Sequence, residues 1–231
     1  FLGPDNYYTL TQLSMVARSG SGGGWWAGTL DADYAGVSLH RLDAAGQTVL
    51  SARHRLQGPS TVVAALFAQS VSPAPNGGAH FVAVTSSDGG DNALLVALAD
   101  ASGSFSAVRT LAFAAGQTVH PQQLMEPSAR AGGGLLVPVE YLASGAPESG
   151  LIVLDAGLNV AAHRAVASGS RSSEVFFAAR ETADGGSLMT GAVFGSGGDP
   201  DAMLWRTDAN FATGQCSLES LPFPSPGTYA F

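Results

Sequence analysis

The feature that most constrains the fold of this chain is a segment of about 55 residues that occurs four times. In each copy, two or three small residues, mostly glycine, precede a short strand-like run. These runs begin at steps of 55, 55 and 53 residues, at Trp25, His80, Leu135 and Leu188. An Asp-Ala turn follows each run at nearly the same step, at Asp43, Asp100, Asp155 and Asp208. Two independent markers with one period indicate a unit that is copied along the chain.

Each copy has room for four short strands. In the last copy the predicted strands are Glu174–Arg180, Ser187–Phe194, Asp201–Arg206 and about Phe211–Ser217. One small sheet cannot bury its apolar face alone, so neighbouring copies must stack. The pattern therefore predicts an all-β protein, a β-propeller built from four blades of about 55 residues and four strands each. Because an open sheet edge invites association, we expect the ring to close within the chain; the alternative is an open arc of blades that another chain completes.

The predicted boundaries describe a single propeller domain over residues 1–231. The blades cover about 6–58, 59–118, 119–170 and 171–217, and a C-terminal tail covers 218–231. Prolines in the tail exclude it from a central strand, because proline cannot donate to a strand ladder. Within the last copy, Gly186 is expected to need either a positive φ or a close backbone approach.

Charge and hydropathy exclude two classes of partner. The formal net charge is −8 and the chain contains no lysine, so phosphate backbones would be repelled and nucleic acid is not an expected partner. No apolar run reaches the roughly 18 residues of a membrane helix, so no membrane insertion is expected. The single cysteine, Cys216, is either a buried free thiol or the partner of another chain.

The loops between the second and third predicted strands carry acidic residues in three copies. They are Asp31 and Asp33, Asp88 and Asp91, and Asp199 and Asp201. Clustered carboxylates beside glycine suit calcium, which takes six to eight oxygen ligands. The alternative is a solvated turn in which aspartate accepts from nearby backbone N–H groups. No cofactor is expected, with calcium as the one candidate.

Trp25 and Trp26 are the most concentrated aromatic feature and the candidate ligand-binding residues. Adjacent side chains of a strand point to opposite faces, so both cannot line one pocket. We expect one to pack between blades. The other could stack on a sugar or contact a peptide, although core packing of both is the alternative.

No catalytic constellation is found. There is no Gly-x-Ser-x-Gly nucleophile elbow, and the five histidines form no zinc-binding pattern. Glu126, Glu140, Glu174 and Glu181 could supply a glycosidase carboxylate pair, but their spacing selects none of them. Arg55, Arg109 and Arg164 recur at equivalent places in the predicted outer strands, which indicates exposed edge residues or a row of anion-binding sites.

The stretch Gly195–Asn210, with its Gly/Asp loop, apolar strand and Asp turn, resembles the repeat of secreted bacterial β-propeller proteins, and Ala35–Gly46 is its closest copy within the chain. The resemblance implies an extracellular or cell-surface location and a non-catalytic binding or structural role. We therefore expect an assembly module that contacts a protein partner or itself. The alternatives are a glycan-binding lectin and a carbohydrate-active hydrolase or lyase.

Overall fold

The computed structural model describes residues 17–18, 24–30, 36–55, 65–86, 93–113, 117–124, 126–143, 146–166, 173–194, 200–212, 218–220 and 225–226. Over these ranges the protein is all-β, with no helix, as the sequence predicts. The strands form four antiparallel sheets, and most strands that follow one another within a sheet are hydrogen-bonded neighbours. Apart from two tail strands, each sheet falls within one copy of the repeat.

The four sheets follow one another along the chain. Sheet 1 contains β1 (Ala17–Arg18), β2 (Trp25–Leu30), β3 (Gly36–Leu42) and β4 (Thr48–Arg55). Sheet 2 contains β5 (Ala65–Pro73), β6 (Ala79–Ser86), β7 (Ala93–Ala99) and β8 (Phe105–Ala112). Sheet 3 contains β9 (Gln117–Leu124), β10 (Ser128–Ala129), β11 (Leu135–Ala143), β12 (Ala146–Leu154) and β13 (Val160–Val166), and both β9 and β10 pair with β11. Sheet 4 contains β14 (Ser173–Glu181), β15 (Ser187–Phe194) and β16 (Pro200–Arg206). Two tail strands, β17 (Leu218–Ser220) and β18 (Ser225–Pro226), pair with β13 and β8.

The two sequence markers of the repeat meet in space at one end of the strands of each sheet. One glycine per sheet lies so close to the carbonyl that precedes the Asp turn that a Cβ would overlap the carbonyl oxygen. The four pairs are Gly24 with Leu42, Gly78 with Ala99, Gly134 with Leu154, and Gly186 with Thr207. Glycine is required at these positions because the hairpin and the neighbouring strand are in direct backbone contact.

The Asp turns share one hydrogen-bonding scheme. In each turn one carboxylate oxygen accepts from the backbone N–H groups two and four residues later, as Asp43 does from Ala45 and Gln47 at 2.9 Å. The same pattern occurs at Asp100, Asp155 and Asp208. This is the side-chain capping that makes aspartate a preferred turn residue. The sequence marker is therefore a structural turn.

Alternating side chains bury three shared cores between consecutive sheets. Sheets 1 and 2 share a core that includes Trp26, Leu39 and Phe81. Sheets 2 and 3 share one around Val96 and Ile152, and sheets 3 and 4 share one around Leu151, Phe176 and Met203. The four sheets therefore stack in chain order. Each sheet supplies side chains to the cores on either side of it, except at the two ends of the stack.

A closed ring requires a fourth interface, between sheet 4 and sheet 1. Among the described strands, those of sheet 4 make no extensive contact with those of sheet 1. The closed four-bladed ring therefore stays a prediction, and so does the open arc. The observed architecture is a stack of four antiparallel sheets joined by three apolar interfaces.

The last repeat departs from the predicted four strands. Its first three strands agree with β14, β15 and β16, but Phe211, the predicted start of the fourth, lies in the Asp turn with a φ of 57°. Residues 213–217 lie outside the described ranges. The chain continues at β17 on the outer edge of sheet 3 and at β18 on that of sheet 2. The described part of the tail thus pairs at edges, where proline is tolerated.

Candidate functional site

The sheet stack leaves one face of sheet 1 and one face of sheet 4 without a described neighbouring sheet. We call the side of sheet 1 opposite to sheet 2 the first end face. Cross-strand pairing and alternation place Trp25, Ala27, Thr29, Ser38 and His40 on it. We call the side of sheet 4 opposite to sheet 3 the last end face. It carries Leu188, Thr190, Ala192, Phe194, Ala202, Leu204 and Arg206.

Leu204 shows what kind of surface the last end face is. In each repeat, one equivalent residue lies three positions before the residue whose carbonyl contacts the close-approach glycine. These residues are Leu39, Val96, Leu151 and Leu204. The first three are fully buried against the sheet that follows in the stack. Leu204 is 68% exposed because no described sheet follows it. Leu204 therefore occupies a position that is covered in the other three sheets and lies uncovered on the last end face.

The neighbouring side chains of the last end face are also largely apolar. Leu204 pairs with Thr190, and the adjacent row consists of Ala192 opposite Ala202. Phe194, the last residue of β15, is 36% exposed. Ala192 is buried, so the exposed apolar side chains of this face are Phe194, Ala202 and Leu204. Exposed apolar residues that lie together mark an interaction site more often than scattered single residues do.

The other exposed large apolar side chains have a local cause. Val49 and Phe177 are exposed, and each lies at a β-bulge, where one residue has no cross-strand partner. The residue at the corresponding bulge in sheet 2, Ser106, is exposed as well. Exposure at Val49 is thus a property of the bulge and does not indicate a missing sheet.

Trp25 and Trp26 point to opposite sides of sheet 1, as strand alternation predicts. Trp26 is fully buried in the core between sheets 1 and 2. Trp25 lies on the first end face and is 38% exposed. Its equivalents in sheets 2 and 3, Ala79 and Leu135, are fully buried against the preceding sheet.

The first end face is more polar than the equivalent buried faces. Ser38 and His40 occupy the positions at which sheet 2 has the buried Leu95 and Ala97. Thr29 Oγ1 lies 3.4 Å from His40 Nε2. An exposed indole can stack on an apolar ring face, and hydroxyl and imidazole groups on the same side of the sheet can hydrogen-bond to polar substituents.

The predicted calcium loops fall mostly outside the described residues. This holds for Asp31, Asp33, Asp88, Asp91 and Asp199. Asp201 is described and lies exposed on β16, opposite Val193. Within the described ranges no three His, Cys, Asp or Glu side chains come together as a metal site. Those ranges also contain no helix of the length and hydropathy that a membrane crossing requires.

The acidic side chains of the turns are engaged in structural hydrogen bonds. A bond from the Ser102 side chain and another from its backbone lower the pKa of Asp100. The backbone of Asn159 is the main cause that lowers the pKa of Asp155. These carboxylates are anchored in their ionised form, which suits turn formation and not general acid catalysis.

Two of the glutamates considered for hydrolysis, Glu126 and Glu181, form contacts between sheets 3 and 4. Glu126 forms an ion pair with Arg180. Glu181 accepts from Arg130 Nε at 2.9 Å and from the Ala131 N–H at 2.6 Å. Glu140 is buried on β11, and the side chain of Glu174 lies outside the described set. The two ion pairs join the sheets, which is a structural role.

Basic side chains on two outer strands contact the Asp turn of the next sheet. His54 Nε2 lies 2.8 Å from the Gly103 carbonyl oxygen, and Arg164 donates to the carbonyls of Asn210 and Phe211 at 3.3 Å. Arg109 lies at the equivalent place in sheet 2, where its charge is a minor cause of the lowered pKa of Asp155. Arg164 therefore connects sheets 3 and 4, a role that the sequence pattern alone did not predict. Arg55 does not lie at the equivalent place, because it pairs with Gly36, whereas Arg109 and Arg164 pair with Val96 and Leu151.

His80 is a buried polar residue between sheets 2 and 3. His80 is fully buried, and neither ring nitrogen meets a partner with hydrogen-bond geometry within the described residues. Burial lowers its pKa to about 4, and the backbone of Gly133 offsets part of this effect. The equivalent residues of sheets 3 and 4 are Leu136 and Leu188. His80 is therefore a neutral core residue.

Comparison with known proteins adds no assignment to this geometry. No protein-family model matches the chain, and no curated protein matches it at a significant level. The resemblance to secreted bacterial β-propeller repeats accordingly stays a prediction.

Proposed function

We propose that the four sheets are the blades of a propeller-type arc and that the protein is a non-catalytic binding or assembly module in an extracytoplasmic location. The equal repeat, the matching hairpins and the three equivalent interfaces support the blade arrangement. The exposure of Trp25 and Leu204 at the two ends favours the open arc over the closed ring.

The exposure of Leu204 carries the functional proposal. An aliphatic position that is buried in three sheets and 68% exposed in the fourth indicates a contact that this chain's described residues do not supply. Burying such a side chain contributes roughly 1.5–3 kcal/mol. The module therefore contacts another protein chain through the last end face, with Leu204 and Phe194 as its main apolar residues.

A photo-crosslinking residue at position 204 tests this function. In producing cells, we expect a discrete protein adduct from position 204 and none from position 49, which is exposed at a bulge and serves as the matched control. The adduct is identified by mass spectrometry and its partner purified. The dissociation constant of the purified pair should then rise at least about tenfold in Leu204→Arg, equivalent to about 1.4 kcal/mol. Equal crosslinking from both positions, or an unchanged dissociation constant, would refute the proposal.

A glycan-binding role is the second candidate, and the exposed Trp25 supports it. The indole lies on the first end face, which also carries Thr29 and His40. A glycan array on the purified protein should give hits that Trp25→Ala abolishes and Leu204→Arg preserves. Hits that survive Trp25→Ala, or none at all, would remove the lectin hypothesis.

A further inference from the structure

We propose that the last end face binds the last end face of a second copy of this chain, so that sheet 4 packs on sheet 4 across a two-fold axis. This inference rests on the proposed function, since it names the partner of the same surface. Two-fold homodimers are the commonest closed assemblies, and their interface must be complementary to itself. The surface shape and the paired charges of the last end face meet that requirement, and the first end face fits the last end face less well.

The relief of the last end face is self-complementary. Leu204 projects next to Ala202, which is small and exposed, while Ala192 opposite Ala202 is buried. A two-fold axis between Leu204 and Ala202 would place each leucine over Ala202 of the other copy. Packed sheets lie about 10 Å apart, a separation that interdigitating large and small side chains fill.

The charges of the last end face permit this contact although the chain carries a net charge of −8. Cross-strand pairing places two arginines on this side of sheet 4, because Leu188 lies between Arg180 and Arg206. Arg180 is paired with Glu126, and Arg206 donates to Asp184 at 2.6 Å. Contact between two such faces would bury no arginine that lacks a carboxylate, which avoids the main electrostatic cost of association.

The first end face of a second copy fits less well. It carries Ser38 and His40 where the internal interfaces have apolar residues, so covering them with Leu204 would desolvate polar groups. A polar end is what a solvent-facing terminal repeat requires.

Solution mass measured over a concentration series tests the dimer. We expect a reversible monomer–dimer equilibrium whose dissociation constant rises at least about 100-fold in Leu204→Arg and less in Leu204→Ser, since both remove the apolar side chain but only arginine adds a charge. Circular dichroism confirms that the variants fold, as the substituted side chain is exposed. A monomer at every concentration would overturn the proposal.

Site-specific disulfides distinguish the two-fold contact from its rivals. In a Cys216→Ser background, a mixture of Ala202→Cys and Leu204→Cys chains should oxidise to a covalent species of two chains and no more, whereas Val49→Cys should not crosslink with either. A disulfide that forms only when Trp25→Cys and Ala202→Cys chains are mixed would show first-to-last contact and refute the proposal. A crosslink at position 204 to a different protein would also refute it, while leaving the proposed function intact.

Discussion

Gly186 lies directly against the main-chain carbonyl of Thr207, so that a Cβ at residue 186 would overlap the carbonyl oxygen. Gly186 closes the first hairpin of sheet 4, and Thr207 precedes the Asp turn that follows β16. The two sequence markers of the repeat are thus the two sides of one backbone contact. Their common period follows from this, because neither marker can shift along the chain without losing the other.

Replacing Gly186 with alanine should destabilise the protein by roughly 1–3 kcal/mol, since the backbone must move to admit the Cβ. Gly132→Ala is the matched control, because a Cβ there meets nothing within 4 Å. Thermal unfolding measures both. Equal melting temperatures for the two variants would contradict the contact.

At Phe211 a glycine substitution should leave the protein more stable than an alanine substitution, the reverse of the usual order within a strand. It has a φ of 57° and is 6% exposed, so its ring is buried in the core between sheets 3 and 4 at a backbone conformation that glycine prefers. Both Phe211→Gly and Phe211→Ala lose the ring, at about 3–5 kcal/mol. Glycine also relieves the strain, so Phe211→Gly should be more stable than Phe211→Ala by about 1 kcal/mol.

Chemical denaturation measures that order, and Leu136 provides the control. Leu136 is fully buried in the same core but lies on β11 without a positive φ. There the alanine variant should be the more stable of the pair, because glycine in a strand adds an entropic cost. The same order at both positions would show that strain at Phe211 is negligible.

Leu151 and Leu204 occupy equivalent positions, but their truncation should differ sharply. Leu151→Ala should cost about 2–5 kcal/mol, as expected for a buried leucine. Leu204→Ala should cost less than about 0.5 kcal/mol in dilute protein, where its face is uncovered. Denaturation at low protein concentration makes the comparison. A large loss at Leu204 under those conditions would mean that the same chain covers this face, as in a closed ring.

Acid should weaken the fold through His80. Burial lowers its pKa from 6.5 to about 4, so below pH 6.5 the unfolded chain binds a proton that the folded chain resists. Stability should therefore fall between pH 6.5 and pH 4, by about 3 kcal/mol from this residue. His80→Leu, which copies the residue of sheets 3 and 4, should remove that part of the pH dependence in denaturation series. His40→Gln should retain it, and an unchanged slope in His80→Leu would contradict the assignment.

Local patterns predicted the local structure well. The alternation rule correctly separated Trp25 from Trp26, and the glycine marker correctly indicated a close approach at Gly186. The prediction that a fourth strand of the last copy begins at Phe211 was wrong. An Asp turn can hold a large residue at positive φ when the core buries its side chain. The turn propensity of a sequence does not include the stability that burial of a side chain contributes.

The repeated sequence pattern by itself determined four similar antiparallel sheets, because hairpin turns and strand alternation depend on residues that are close in sequence. The tertiary structure decided which equivalent positions are covered. Leu39, Val96, Leu151 and Leu204 are alike in type and in place, yet three are buried and one is exposed. The reason is that burial belongs to a pair of sheets, and only their arrangement in space shows that the fourth sheet has no described neighbour on that side.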